Sequence, residues 1–454
     1  MSLITSLGQT IPALQPQLET IQQARTLRPM IYAAWRLGVN VALLVIQDEL
    51  TTRAKAPTPQ TLCPQCGKPL RSKGFLKRQL TTLLGELRWR RRGLRCSAGC
   101  ALGQIVPLDA ELGLTAHQAT SDEVQHWACL LAVFVPFATA AELLQQLTGV
   151  SVSPSTIWGW VQVIGQRAME QVQRELARLV AGHAPAPEVR DAATAAQPLL
   201  VGADGVMVPF RPNGGSPKGH TARREVKVAI LARLKVHRTR RGEEVTRLEH
   251  RRLVAVLGDT DALSVRLWLE ALRQGVLTTH VVVWVSDGGR GLWRVFTERL
   301  AGCAIGILDF YHAAQKLWLA AKGRWDGRTT LAREWFERFR HHLRHGEAEA
   351  VFQELQTTLA LNDLPASARA TLQQVYNYLD KHRAHLDYAK FKALGLPLGS
   401  GMVESACKWL IQQRFKGVGM RWSEDGFNHL LHLRLAWVND RFDALFLPEA
   451  SPNL

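Results

Sequence analysis

Along this chain the spacing of apolar positions changes period once, and that change divides it. Over residues 13–48 the stretch "LQPQLETIQQARTL" and the apolar run "MIYAAWRLGVNVALLVIQDEL" have helical texture. Helical patterns dominate again from about 115 to 180 and close on "AMEQVQRELARLV". The apolar run Trp127 to Leu144 is interrupted by Pro136 and Glu142, so it reads as a buried helix pair and not as a membrane span. Residues 181–198, "AGHAPAPEVRDAATAAQP", are rich in Ala and Pro without an apolar period, which predicts a linker or domain boundary.

Beyond that point the texture is that of short strands. "LLVGADGVMVPF", "REVKVAILARL" and "RRLVAVLGD" are three apolar segments joined by basic, Gly-containing turns. A helix, "DALSVRLWLEALRQG", leads into the strand "HVVVWVSDGG"; helix 291–301, strand "CAIGILD" and helix "FYHAAQKLWLAAKGRW" follow. Three strands in a meander and then alternating helix and strand predict a mixed α/β sheet. Residues 328–390 read as helical throughout, up to a Gly-Ser-Gly turn at Gly399–Gly401. The chain contains no internal repeat.

Composition narrows the partners. The 454 residues, 46% hydrophobic and 21% charged, suffice for two or three folded domains. The net charge of +17 points to a polyanion, nucleic acid first. No signal-peptide pattern opens the chain and no basic amphipathic anchor stands out, so no membrane partner is expected. Cys129, Cys303 and Cys407 stand alone while four others pair by spacing, which fits a reducing cytoplasm with a metal site.

The paired cysteines are "CPQC", Cys63 and Cys66, and "CSAGC", Cys96 and Cys100, with 29 residues between the pairs. Two such pairs separated by strand-length segments predict a closed, structural four-thiolate Zn²⁺ site. Inside that loop, residues 68–95 carry ten Lys and Arg against one acid, Glu86. Arg88, Arg90, Arg91 and Arg92 in "LRWRRRGLR" are therefore expected to meet DNA phosphates. Downstream, "TAAELLQQLTGVSVSPSTIWGWVQVIGQ" has helix-turn-helix grammar, with Pro154 opening the second helix. Ser155, Thr156 and Trp158 fall near the N-terminus of that helix, where such helices reach DNA.

Asp204, in "VGADGVMVP", falls at or just past the end of the first strand, and Asp287 ends "VVVWVSDGG". Carboxylates at strand ends followed by glycine suit a cleft, although Asp-Gly is also a common turn dipeptide. Asp309 is a third acid at a strand end, and Asp259 and Asp261 read as cap and turn residues. Glu404 opens an apolar and basic helix and is followed by Lys408, Arg414, Lys416 and Arg421, all expected at DNA. Read locally, Glu404 only favours its helix dipole and pairs with Lys408.

Several stretches together resemble the bacterial DDE transposases of ribonuclease-H-like fold. They are "ADGVMVP", "REVKVAIL", "VWVSDGGRGLW", "ILDFYHAAQKL", "GLPLGSGMVESACKWLIQQRFKGVGMRWS" and the cysteine array, spanning about residues 62 to 437. Within that group the chain is most similar to the ISKra-type insertion-sequence transposases, distant relatives of the Mutator-like group. The resemblance implies a catalytic triad of Asp204, Asp287 and Glu404. It also places the Asp287 strand beside the Asp204 strand and the Asp309 strand one position further out, roughly 10 Å from Asp204. Asp309 and His312 then match an Asp-x-x-His motif that orders the site or touches DNA, or, read locally, a helix cap and a core histidine.

The expected architecture is α/β and multidomain. N-terminal helices (1–60), a zinc-ribbon-like four-cysteine module (61–108), a helical DNA-binding domain with the helix-turn-helix (109–180) and a linker (181–198) precede the catalytic core. That core is a ribonuclease-H-like mixed sheet (199–437) with an all-helical insertion at about 328–390, followed by a tail (438–454). The function the resemblance implies is DNA transposition, with two Mg²⁺ or Mn²⁺ ions serving strand cleavage and strand transfer. Its partners would be double-stranded element ends and target DNA, bound by a homodimer or higher oligomer in the cytoplasm at the nucleoid, though no coiled coil is evident. The alternatives are a DNA-binding regulator derived from a transposase and a ribonuclease-H-like nuclease without strand transfer.

Overall fold

The computed structural model describes residues 12–58, 60–101, 103–212, 221–242 and 244–447. The outermost parts of the expected N-terminal helices and C-terminal tail, 1–11 and 448–454, lie outside the described residues. The chain forms two compact units, 1–160 and 161–454, and the division falls inside a long helix.

In the first unit, α1 (Gln15–Gln23) and α2 (Leu27–Lys55) precede a long hairpin, β1 (Leu70–Thr82) with β2 (Gly85–Cys96), edged by the short β3 (Gln104–Ile105). Strand β2 alternates faithfully: Leu87, Trp89 and Arg91 point inward while Arg88 and Arg90 are exposed. Leu87 and Trp89 pack with Leu80, Leu108 and the α2 residues Leu50 and Ala54 into a small core. Next come α3 (Asp122–Phe134), α4 (Phe137–Thr148) and α5 (Pro154–Val180). Gly149, with φ of +81°, ends α4 in the left-handed conformation that glycine supplies without steric cost. The Ser153 hydroxyl accepts from Thr156 N–H at 3.1 Å and starts α5. The apolar run 127–144 forms two helices, and α3 and α4 bury Val124, Ala128, Cys129 and Leu144 completely.

The second unit is built on one five-stranded sheet. Its strands are β4 (Leu199–Phe210), β5 (Ala222–Arg238), β6 (Glu244–Leu257), β7 (Val282–Ser286) and β8 (Ala304–Leu308), in the spatial order β6-β5-β4-β7-β8. The β6-β5-β4 meander is antiparallel, whereas β4-β7 and β7-β8 are parallel. The sheet is mixed, as expected, with β7 beside β4 and β8 one position further out. Helices α6 (Thr260–Arg273) and α7 (Arg290–Val295) lie in the connections to β7 and β8, and α8 (Phe310–Arg324) follows β8. The central strands are covered on both sides, so they read as unbroken apolar runs: Leu199, Leu200, Val201, Val283, Trp284 and Val285 expose 1% or less. The insertion consists of α9 (Thr330–Arg344), α10 (Ala348–Leu359), α11 (Ala366–Lys381) and α12 (Tyr388–Ala393). It shares the sheet's core through Trp335, Phe352 and Leu372.

After the insertion the chain returns to the sheet as α13 (Gly401–Cys407), continues through a π-helical turn (Lys408–Gln412) and ends with α14 (Glu424–Val438). Helix α13 crosses β4 at Gly202, where a Cβ would lie 2.6 Å from the Val403 side chain and 3.1 Å from the Val285 carbonyl. The wide turn frees backbone carbonyls, and the buried Arg434 of α14 supplies donors: Nε to Leu410 O at 2.7 Å and Nη2 to Trp409 O at 2.6 Å. The stretch 181–198 is irregular apart from one turn at Ala192–Ala195. It is tied to the sheet by Glu188, which pairs with Arg252 at 3.1 Å and Arg441 at 3.0 Å.

Gly202→Ala should therefore overpack the crossing and cost about 1–3 kcal/mol in urea unfolding. Adding Val403→Ala should restore part of that loss, because it removes the atoms that the new methyl meets.

Candidate functional site

The last register pair between β4 and β7 is Ala203 with Ser286. Asp204 follows Ala203 within β4 and Asp287 follows Ser286 just past β7, which brings the two carboxylates near each other. Asp204 differs from expectation in one respect. It is not at a strand end, because β4 runs on to Phe210 against β5 with Asp204 opposite Val228. It stands where β4 loses its parallel neighbour β7.

Burial pushes the Asp204 carboxyl above its ordinary range, and the nearby charges of Asp287 and Glu225 add to the shift; Gly205 N–H, donating at 2.7 Å, and His312 oppose it. Asp287 is held by Gly289 N–H at 3.0 Å, while its carbonyl accepts from Trp293 Nε1 at 2.6 Å. Asp204 is thus a partly buried acid with a second carboxylate near it, and hard oxygen ligands of this kind are the type that Mg²⁺ or Mn²⁺ takes.

Glu404 lies in the first turn of α13. The same helix turns Cys407 inward, and burial together with the charges of Asp204 and Glu404 pushes that thiol up to about 12. Cys407 is thus near enough to both acids to feel their charges. The Glu404 carboxylate itself is 63% exposed and pairs with Lys408 at 2.8 Å. Among the described residues, the four paired cysteines are the one group of three or more His, Cys, Asp or Glu with ligand atoms within 4.8 Å of one another. Glu404 must leave Lys408 and swing toward the strands before all three acids can share a metal.

Asp309 is a clamp. It is 3% exposed, and its carboxylate accepts from Tyr311 N–H at 2.6 Å and His312 N–H at 3.0 Å, capping α8. The other oxygen accepts from Ser400 N–H at 2.6 Å and Ser400 Oγ at 2.5 Å, and Phe310 N–H donates to Leu398 O. Asp309 therefore fastens the end of β8 to the Gly-Ser-Gly turn that launches α13. His312, on the first turn of α8, is close enough to act on Asp204. Asp259 caps α6 through Ala262 N–H, and Asp261 pairs with Arg294.

Three residues of this site carry no motif. Glu225 is a lone acid in the basic segment "ARREVKV"; its carboxylate occupies the space that a side chain at Gly205 would need, and it also pairs with Lys227 at 2.8 Å. Tyr378 and His382 come from α11 and the turn after it and pack behind the Asp287 turn, where a Cβ at Gly288 would meet the Tyr378 ring. Burial raises the Tyr378 hydroxyl and lowers His382 to about 4, which keeps both neutral beside Asp287. Only folding of the insertion brings them there, some ninety residues after Asp287 in the chain.

In the first unit Cys63, Cys66, Cys96 and Cys100 converge at the open end of the β1–β2 hairpin. Cys63 and Cys100 sulfurs are 3.4 Å apart, and those of Cys66 and Cys96 are 3.3 Å apart. Sulfurs around a tetrahedral Zn²⁺ at about 2.3 Å stand roughly 3.8 Å from each other, so the thiols have close to the required spacing. A hydrogen bond from the Cys66 thiol lowers Cys96 to about 6, toward the thiolate a metal needs.

Two expected DNA contacts are corrected. Arg91 faces inward on β2, 9% exposed, with Nε on the Asp109 carboxylate at 2.7 Å and Nη1 on Lys77 O at 2.8 Å. Strand alternation turns it away from the face that Arg88 and Arg90 occupy. Arg414 is 1% exposed and lies over the Trp422 ring; burial lowers its guanidinium to about 10. Arg92 is half-buried over Phe75, whereas Ser155, Thr156, Trp158, Lys408, Lys416 and Arg421 are not buried.

No family model matches the chain. The "UPF0236 protein in vanSb 3′region" of Streptococcus gallolyticus is 25% identical over 375 residues, covering 81% of this chain and 74% of that protein. Among solved structures, the Drosophila P element transposase strand transfer complex aligns with a TM-score of 0.34 and 11% identity, over 74% of this chain and 96% of that one.

Metal analysis of the purified protein should find one zinc per chain, and Cys63→Ser should lose it together with a large part of the first unit's stability. Asp309→Asn puts an amide donor, at a buried position, against the Ser400 N–H and should cost about 1–3 kcal/mol in urea unfolding.

Proposed function

We propose that this protein is a DNA transposase of the ISKra-type insertion-sequence group, which binds its element's ends and catalyses metal-dependent strand cleavage and strand transfer. The observation that carries the reading is the placement of Asp204 and Asp287 on adjacent strands, immediately past their last register pair, with α13 and Glu404 laid across β4. Asp204, Asp287 and Glu404 would hold two Mg²⁺ or Mn²⁺ ions, which supply activation of the attacking water or 3′-hydroxyl and stabilise the leaving oxygen. The chain's own parts have separate tasks. Asp309 fixes the turn before α13, so the Glu404 backbone is set while its side chain stays free to exchange Lys408 for the site. Tyr378 and His382 keep the back of the Asp287 turn neutral and apolar, and so direct that carboxylate outward. Double-stranded DNA is the partner favoured by the +17 charge and by the accessible Arg88, Arg90, Ser155, Thr156, Trp158, Lys416 and Arg421.

The test is cleavage of supercoiled DNA carrying the element ends, with Mg²⁺. Wild-type protein should cut the ends and join them to target. Glu404→Gln, Asp204→Asn and Asp287→Asn should each lose more than the roughly 10–100-fold that outer-shell changes cost at metal sites, while end binding persists. If Glu404 served only its exposed pair with Lys408, its loss would cost about 0.3–0.5 kcal/mol of stability and leave activity intact. Nicking without joining would favour the nuclease reading, and binding without cleavage the regulator.

A further inference from the structure

Helix α2 is the least explained element of the first unit. It is long and apolar enough to cross a membrane by length and composition, yet only 6% of its most apolar window is buried. One face is accounted for: Ala33, Leu50 and Ala54 are buried, and Leu43 packs on the hairpin core. On another face, Leu27, Ile31, Ala34, Gly38, Val41 and Val45 follow one another at steps of four, three, four, three and four residues, the spacing of a helix–helix seam. All six are exposed, Leu27 at 69%, Ile31 at 56% and Val45 at 62%, and Trp35 beside them is 65% exposed. This seam is too short to announce itself as a coiled coil in the sequence, and only its exposure sets it apart from a core stripe.

We infer that this face of α2 pairs with the same face of a second copy of the chain, as an antiparallel helix pair on a two-fold axis. The seam is self-complementary when reversed: Leu27 meets Val45, Ile31 meets Val41, and Ala34 meets Gly38. Large residues face large ones at the ends, and the two small ones meet at the axis, where they let the backbones approach. That is the reciprocity a two-fold interface requires. Residues 27–46 extend about 30 Å, and two such faces would cover on the order of 1,000 Å² in total, the lower range of specific interfaces. A bilayer is a poorer occupant. The opposite face of α2 is fastened to a hairpin carrying exposed Arg88 and Arg90, and Arg28, Arg36 and Asn40 interrupt the span. The inference is independent of the proposed catalysis.

Sedimentation of the full chain at micromolar concentration, with its zinc, should give twice the chain mass, and Ile31→Glu/Val45→Glu should give a monomer with unchanged thermal unfolding of the second unit. Because those substitutions are at exposed positions, their folding can be checked by circular dichroism. On an otherwise native background, Ala34→Cys mixed with Gly38→Cys should form the 34–38 disulfide in large excess over 34–34 and 38–38, as read by peptide mass spectrometry. A monomeric wild type, a dimer that survives the double glutamate variant, or preferential 34–34 and 38–38 bonds would overturn the inference. So would flotation of wild type, and not of the variant, with phosphatidylglycerol–phosphatidylcholine vesicles in place of dimerisation.

Discussion

A helix can approach a sheet only as closely as the side chains between them allow, and at Gly202 there is none. Val403 fills that space, so α13 lies directly on β4, two residues before Asp204. Every other feature of the candidate site is arranged around this contact. The Asp309 carboxylate holds the turn ahead of the helix, and Arg434 holds the wide turn behind it. Glu404 is thus carried on a segment fixed at its start, its middle and its end, with freedom only in its own side chain.

The same economy governs the charges. Asp204 is partly withdrawn from water, beside Asp287, with Glu225 also near and His312 opposing them both. Burial and neighbouring negative charge both disfavour the ionised form of Asp204, and a cation is the kind of ligand that would relieve this under the proposed function. Further from the site, Glu188 and Glu270 gather Arg252, Arg273 and Arg441 into a half-buried network that joins β6, α6 and the end of the chain.

Much of this is legible in the sequence because the relevant signals are local. Strands β4 to β8 follow from apolar runs, whereas the adjacency of the Asp204 and Asp287 strands is what the family resemblance implies and not what the runs themselves give. The cysteine spacing leads directly to a cluster of four thiols. What is not legible depends on contacts between distant segments. Tyr378 and His382 reach Asp287 only through the fold of the insertion, and Glu225 is singled out only by lying over Gly205. Arg91 and Arg414 depart from expectation for a simpler reason. A basic run suggests a uniform surface, but strand alternation sends Arg91 to Asp109, and the helical face of Arg414 is the buried one. Asp309 shows the opposite failure: its role as a cap can be read locally, but its second pair of donors, ninety-one residues away, cannot.

The π-helical turn at Lys408–Gln412 has an effect on chain length. A turn that takes an extra residue sets back the angular phase of everything beyond it by most of one residue's rotation, about 100°. The buried faces of α13 and of Gln413–Phe415 are therefore aligned only because that extra residue is present. Deleting a single position between Cys407 and Gln413 would not merely shorten the helix. It would turn Phe415 and Arg414 out of the core, or Val403 off the sheet, and strand the Arg434 guanidinium without its carbonyls. Length variation among relatives should accordingly be found before Gly399 or after Phe415, and not within the segment that joins Glu404 to its anchor.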